Sequence, residues 1–313
     1  MDTSAFVKVK NAIVENCGRI IVGKDEVIEQ ILICLLASGH ILLEDVPGTG
    51  KTMLLRAFAR SIGGDFKRIQ FTPDLLPSDL TGINFYNQKQ GEFEFRPGPL
   101  FSQIILADEI NRATPRSQSA LLEVMEEKQI SVDGTSYPMT EPYMVMATQN
   151  PLESYGTFPL PEAQMDRFFM RLSLGYMTRE QEISVLRRPD SKELLRSLDA
   201  VVSADEVARL RGAYSAVRVD DDIAAYIMNI IEATRGNPTV ANGVSTRGAL
   251  ALYRASQLSA ALSGRDYVIP EDVKREAPCV LPHRLTLISR SHLDNRRFVE
   301  NLLDELEVPL EKL

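Results

Sequence analysis

"HILLEDVPGTGKTMLL", residues 40–55, is a short apolar run that breaks into a glycine-rich turn and continues through Lys51 and Thr52 into a second apolar stretch. The first run reads as a buried strand. The second reads as a helix to about Ser61, where Gly63 and Gly64 break it. A strand that turns through Pro47, Gly48, Thr49 and Gly50 into a helix N-terminus points successive backbone N–H groups at one place. The glycines let a ligand approach closely, and the helix end adds positive potential, which together suit a phosphate. Lys51 would then reach the β- and γ-phosphates of a nucleotide, and the Thr52 hydroxyl would bind Mg²⁺. One position departs from this pattern: the glycine expected six residues before the lysine is Asp45.

Outward from this loop the chain alternates strand-like and helical segments. Residues 24–37 carry Val27, Ile28, Ile31, Leu32 and Leu35 at helical spacing, and Gly39 ends that run. "FKRIQF", "SQIILADE" and "PYMVMATQN" follow as three further apolar strands, so the spacing predicts an α/β core with a parallel sheet flanked by helices. Two hairpins interrupt it. "NFYNQKQGEFEFR" turns at Gln90-Gly91, and "QISVDGTSYPM" turns at Asp133-Gly134, a strong two-residue hairpin signal. After Tyr176 the pattern is helical, which predicts a core over residues 1–177 and an all-helical domain over 178–313.

Bulk composition narrows the class. The 313 residues are 44% hydrophobic and 25% charged, a globular balance, with a net charge of -8 that argues against a protein built mainly to grip nucleic acid. Cys17, Cys34 and Cys279 are scattered and suit a reducing compartment better than a disulfide scaffold. The start of the chain does not read as a signal peptide, and no apolar run is long enough to insert in a membrane, so a cytoplasmic location is expected.

Two strand ends carry chemistry. "IILADE" delivers Asp108 and Glu109 to the C-terminal end of a buried strand, a costly place for two carboxylates without a cation or substrate. Asp108 has the chemistry to hold Mg²⁺, partly through water, and Glu109 could orient and deprotonate an attacking water. "VMATQNP" ends another buried strand, and Asn150 there could hydrogen-bond a γ-phosphate or the water.

These segments together resemble an AAA+ ATPase, with "DVPGTGKT" as Walker A, "IILADE" as Walker B and "ATQNP" as the sensor-1 strand. The finer match is to the MoxR family, through "LLEDVPGTGKT", "RIQFTPDLLPSDLTG", "FRPGPLFSQIILADEINRATPRSQSALLEVMEE", "ATQNPLESYGTFPLPEAQMDRF", "EATRGNP", "GRDYVIPEDV" and "LPHRL". The resemblance covers most of residues 20–285. It implies a P-loop NTPase core with a helix-2 insert (84–96), a pre-sensor-1 hairpin (130–140) and a helical lid. It also implies that Arg167 in "QMDRF" is an arginine finger reaching a neighbouring subunit's γ-phosphate. The plain alternative for Arg167 is an exposed ion pair with Asp166. Arg247 in "VSTRGAL" matches sensor 2 at the start of a lid helix, with Ser245 as its N-cap. "RIIVGKD" resembles the stretch that cradles adenine, with Ile21, Val22 and Gly23 nearest the base, although it could simply lead into the first helix.

The resemblance further implies ATP and Mg²⁺ as cofactors and, if Arg167 acts in trans, a ring, by resemblance a hexamer. It points to chaperone-like remodelling of client proteins, with von Willebrand factor A domain proteins the expected partners. A nucleic-acid remodeller is the first rival, since ring helicases carry similar hairpins. "DGTSYPMTE" has no Lys or Arg, and "NFYNQKQGEFEFR" has two against two Glu, a poor lining for phosphates. A metal-chelatase ATPase subunit is a second rival and a nucleotide-gated scaffold a third, the last disfavoured by intact Asp108 and Glu109.

Overall fold

The structure is a computed structural model that describes residues 2–45, 48–149, 156–188, 191–288 and 292–309. Pro47 and Asn150, two of the expected site residues, lie outside the described residues.

Helices α1 (Ser4–Gly18) and α2 (Asp25–Leu36) precede the first strand, β1 (Ile41–Glu44). There follow α3 (Lys51–Ser61), β2 (Phe66–Gln70), α4 (Pro77–Thr81), β3 (Gly82–Asn87), β4 (Glu92–Pro97), β5 (Ile104–Asp108) and α5 (Pro115–Glu127). The core continues with β6 (Gln129–Val132), β7 (Thr135–Pro138), β8 (Met144–Gln149), α6 (Glu162–Met165) and β9 (Met170–Leu172). Five strands form one sheet in the order β2-β5-β8-β1-β9, with every pair parallel. β9 was not among the strands expected. At three residues it is too short to show a period of its own.

The period of two along each strand divides its side chains between two cores. Ile41, Leu43, Ile104, Leu106, Met144 and Met146 pack on the face covered by α1, α2 and α3. Leu42, Ile105, Ala107, Val145 and Ala147 pack on the opposite face with Leu121, Leu122 and Met125 of α5. Both faces are covered, which is why these strands read as continuous apolar runs. The chain leaves β1 toward β2 on one side and returns to its other side as β9. Such a reversal opens a crevice at the carboxyl ends of the strands.

Both hairpins form as expected, β3 with β4 and β6 with β7. Asp133 and Gly134 have φ of 49° and 82°, the paired positive values that a tight two-residue turn demands. The hairpins lean on each other: Phe95 stacks on Tyr137 at 4.3 Å, and Asn84 Nδ2 donates to Asp133 Oδ2 at 2.7 Å.

Beyond β9 the chain is helical: α7 (Arg179–Leu186), α8 (Ser191–Arg196), α9 (Ala204–Ala213), α10 (Asp221–Gly236), α11 (Thr246–Leu262), α12 (Pro270–Val280) and α13 (His292–Glu305). One addition was not expected there, a small antiparallel ladder of β10 (Val240–Asn242) with β11 (Thr286–Leu287). These helices do not stand apart, because Leu252, Ala255 and Leu258 of α11 share a single buried cluster with Phe6, Ile13, Ile28 and Ile31. No described helix is long and apolar enough to cross a membrane.

The seam between α2 and α12 contains one ionisable side chain at full burial. Gln30 Nε2 donates to Glu276 Oε1 at 3.1 Å, and Arg275 Nε lies 3.9 Å from the same oxygen. Burial pushes the Glu276 carboxyl up from 4.5 to about 7, with Gln30 and Arg275 pulling it back. The folded state therefore holds this proton more tightly than the unfolded chain. The stability it contributes is fullest below about pH 4.5 and is lost as pH rises to about 7. The difference, 7 minus 4.5, corresponds to as much as about 3 kcal/mol. Glu276→Gln should consequently gain stability over the native chain at pH 8 relative to pH 5, measured by urea unfolding at both. An equal difference at the two pH values would refute this.

Candidate functional site

The parallel register brings the polar strand ends into one row. Gln70 pairs with Asp108 across β2 and β5, Ala107 with Ala147 across β5 and β8, and Leu43 with Thr148 across β1 and β8. Asp108 therefore has Gln70 on one side and Thr148 on the other. Thr148 Oγ1 donates to Asp108 Oδ1 at 2.6 Å and accepts from the Glu109 backbone N–H at 2.8 Å. Arg68 reaches the other carboxylate oxygen, Oδ2, through Nε at 3.0 Å and Nη2 at 2.6 Å.

Glu109 has φ 59° and ψ 49°, in the left-handed region. A non-glycine residue held there costs on the order of 1 kcal/mol and persists only where its surroundings fix it. What fixes it is visible. Its N–H is held by Thr148, Gln70 Nε2 donates to its Oε2 at 2.6 Å, and Arg112 Nε lies 3.3 Å from the same oxygen. The carboxylate is aimed rather than free to rotate.

The phosphate loop faces this row across a cavity of ≈ 430 Å³. Gly48, Thr49, Gly50, Lys51 and Thr52 line one side, and Asp108, Glu109, Thr148 and Gln149 the other, with Arg56 and Arg68 completing the wall. Gly48 and Gly50 have φ of 88° and 89° with open space where a Cβ would stand, so glycine is required there by conformation and not by crowding. Lys51 Nζ donates to the Asp45 carbonyl at 3.3 Å.

This donor set fits a polyphosphate with a divalent cation. It offers loop amides, a lysine, two arginines, the hydroxyls of Thr49, Thr52 and Thr148, and the carboxylates of Asp108 and Glu109 at the strand end. Among the described residues no group of three or more His, Cys, Asp or Glu converges as a metal cage. A cation here would share its ligands with phosphate and water, which is how Mg²⁺ is commonly held.

Five expected residues lie off the cavity wall, Ile21 among them. Val22 and Gly23 do not line it, and Gly23, with φ 66°, sits against the side chain of Gln181 at the start of α7. Arg167 and Arg247 are also absent from the wall, and the structure collects them elsewhere. Arg167 Nε is 3.1 Å from Glu126 Oε2 and Arg247 Nη2 is 3.3 Å from Glu126 Oε1. The alternative pairing of Arg167 with Asp166 is corrected. Asp166 is taken by Arg284 Nε at 2.8 Å and by Ser245 Oγ at 3.2 Å. Ser245 is the N-cap of α11, as expected, accepting from Gly248 N–H at 3.3 Å.

Sequence reading missed Arg56, Arg68, Gln70, Thr148 and Glu126. A signal was present for two of these. Arg68 and Gln70 are two apart in a strand, so both project to the same side, toward the strand's C-terminal end.

Comparison with known proteins agrees with this geometry. Residues 40–170 match the model of the ATPase family associated with various cellular activities (AAA), and residues 232–306 match an AAA lid domain. The chain is 48% identical over 302 residues to the uncharacterized protein YeaC of Bacillus subtilis, covering 96% of this chain and 94% of that one. It is 44% identical over 283 residues to Chaperone MoxR1 of Mycobacterium tuberculosis, with 86% and 73% covered. It is 31% identical to Protein MoxR of Methylorubrum extorquens, with 91% and 90% covered. A crystal structure of a Cytophaga hutchinsonii protein, provisionally described as an ATPase, superposes with a TM-score of 0.89 at 39% identity, covering 98% of each chain.

Among the described residues Lys51 makes one long contact, to the Asp45 carbonyl, and it lines the cavity, so its removal tests the site. Lys51→Ala should weaken binding of a fluorescent ATP analogue by ~10–100-fold or more, the scale of losing hydrogen bonds from a charged donor. Thermal stability should change little. Undiminished affinity would remove the loop from the site.

Proposed function

This chain belongs to the MoxR family of AAA+ ATPases, and from that premise we propose that it hydrolyses Mg²⁺-bound ATP between subunits of a ring. The hydrolysis drives chaperone-like remodelling or maturation of client proteins. Lys51 and the loop amides take the β- and γ-phosphates, and Thr52 and Asp108 hold the Mg²⁺, Asp108 partly through water. The cation, when bound, neutralises charge on the phosphate oxygens. Glu109 accepts the proton of the attacking water, and its bond to Gln70 sets where that carboxylate points. Asn150 is proposed from its motif as the polar contact to γ-phosphate or water. Val22 and Gly23 are proposed on the same ground as the adenine contact. The core and lid divide near residue 177, and the protein works in the cytoplasm.

The observation that carries the ring reading is Glu126. It gathers Arg167 and Arg247 at one exposed point, away from the wall of their own subunit's cavity. Neither arginine serves the phosphates of its own chain in this arrangement, which supports both acting on a neighbour. The side chains are 32%, 50% and 39% exposed for Arg167, Arg247 and Glu126. Exposed pairs of this kind are worth about 0–1 kcal/mol, so an incoming phosphate can outbid Glu126 for either arginine. We favour a hexamer on family resemblance.

A protein client suits the hairpin surface better than nucleic acid does. Tyr86 and Phe93, cross-strand partners on one face of the first hairpin, are 53% and 74% exposed, an apolar pair on a chain of net charge -8. Von Willebrand factor A domain proteins remain the expected class, and the name carried by the Mycobacterium tuberculosis relative supports a chaperone role. A nucleic-acid remodeller is the reading this surface disfavours, and the family match favours a MoxR-type role over a chelatase subunit.

The test is steady-state ATP hydrolysis against protein concentration, with and without DNA. Specific activity should rise with concentration and ignore DNA. Strong stimulation by DNA would put the nucleic-acid reading first. Glu109→Gln should keep nucleotide affinity while turnover falls by ~10²–10⁴, the usual scale for losing a general base. Arg167→Ala protein should be nearly inactive alone and recover part of its activity when mixed with Lys51→Ala protein. Absence of recovery at every mixing ratio would exclude a shared site.

A further inference from the structure

Asp45 stands where the phosphate-loop pattern has glycine, and it is only 6% exposed at the edge of the cavity. Its carboxylate accepts three hydrogen bonds from one short stretch. Ser173 Oγ donates to Oδ1 at 2.7 Å, the Gly175 N–H to Oδ1 at 3.1 Å, and the Leu174 N–H to Oδ2 at 2.8 Å. A buried carboxylate is tolerable only with such partners, and here every one of them comes from residues 173–175. That stretch lies between β9 and α7, on the way from the core into the C-terminal helices. A glycine at this position could make none of these bonds.

The same residue also touches the phosphate-binding lysine, because its carbonyl accepts from Lys51 Nζ. Asp45 thus joins Lys51 through its backbone and the lead-in to α7 through its side chain. The lead-in is gripped from the other side as well. Lys24 Nζ donates to the Leu174 carbonyl, to Gly175 O at 3.5 Å and to Tyr176 O at 3.1 Å. Lys24 directly follows Gly23, whose missing Cβ would fall 1.9 Å from Gln181 Nε2. The amides of this stretch are therefore held from the phosphate loop and its carbonyls from the segment that resembles an adenine cradle.

We propose that Asp45 is a positioning residue that latches the phosphate loop to residues 173–175, so that phosphate binding is transmitted to the lead-in of the C-terminal helices. The inference rests on the nucleotide reading of the loop. A phosphate competes for the Lys51 Nζ that otherwise donates to the Asp45 carbonyl. The carboxylate of that residue carries any movement of the loop directly to the Leu174 and Gly175 amides. The second grip, from Lys24, makes the stretch respond to both ends of the ligand.

The experiment is hydrogen–deuterium exchange of the full chain, read on peptides covering residues 173–176. It compares native protein, Asp45→Gly, which restores the general loop pattern, and Asp45→Asn, with and without Mg²⁺ and a non-hydrolysable ATP analogue. Affinity for the analogue and kcat and KM for ATP are measured alongside. In native protein these amides should exchange slowly and respond to the analogue. In Asp45→Gly they should exchange ~10–100-fold faster, the scale of losing bonds to a charged acceptor, and no longer respond. Analogue affinity and KM should stay within about threefold, because loops with glycine here bind nucleotide, while kcat falls. Asp45→Asn should lie between the two. Should Asp45→Gly fail to fold, Ser173→Ala must shift exchange in the same direction.

Unchanged exchange in Asp45→Gly, or a response to the analogue that survives in it, would overturn the latch. So would a shift in KM with kcat intact. An analogue that does not bind native protein ends the nucleotide reading along with the coupling. Binding with no change at residues 173–176 ends the coupling alone.

Discussion

A carboxylate at the end of a buried strand has to be compensated, and the compensation of Asp108 organises the whole catalytic face. Its two oxygens are divided between Thr148 and Arg68, which come from the strands on either side of β5. That division works only if β2, β5 and β8 end in register, and it also fixes Glu109, because Thr148 holds the N–H of the next residue. A slip of one residue in any strand would turn its polar end to the opposite face of the sheet. Two apolar cores forbid such a slip in β5 and β8, which alternate fully buried side chains between them.

Charge is handled differently at the two arginine positions near the start of β9. Arg284 is almost wholly buried, and its guanidinium is matched by Asp166, the Phe168 and Phe169 carbonyls and the Val280 carbonyl. Burial lowers its pKa to about 10, with Asp166 opposing, so it stays charged at neutral pH. Removing one partner from such a network leaves an uncompensated buried charge, which costs several kcal/mol. Among the described residues, the side chain of Arg167, one residue from Asp166, is tied by a half-exposed pair with Glu126. The neighbouring position is thus rigid where its anchor is and loose where its tip is, a combination suited to a group that reaches for a ligand. Asn242 and Thr286 of the small β10–β11 ladder add two more bonds to Glu162 on α6, so the C-terminal helices hold this segment from several points.

Most of this architecture was legible before any coordinates. Continuous apolar runs marked β1, β5 and β8, the alternation of "FKRIQF" after the Gly63-Gly64 break marked β2, and Asp133-Gly134 marked the second hairpin. β9 and the β10–β11 ladder were not legible, because elements of two or three residues carry no periodicity and exist through pairing with distant strands. The site divided along the same line. Lys51, Thr52, Asp108 and Glu109 announce themselves in contiguous motifs, whereas Arg68, Gln70 and Thr148 matter because of lateral register, which sequence spacing does not reveal. Glu126 was missed for a related reason. An acidic residue near the end of a helix, on its solvent side, reads as solvated until two arginines from distant segments are found on it.

Asp45 shows the value of a residue that breaks its motif. As a lapse in the phosphate-loop pattern it is tolerable, since the remaining loop still provides its amides and its lysine. In the fold it is the residue whose removal would disconnect the loop from residues 173–175, and the bonds involved are of the stronger, charge-assisted kind. Glycine at this position would offer conformational freedom, yet the chain has an aspartate that gives up that freedom for three fixed contacts. A loop that only bound phosphate would gain nothing from them. A loop that must also report to the helices beyond residue 177 gains a direct connection, and this is the physical ground for reading the departure as functional.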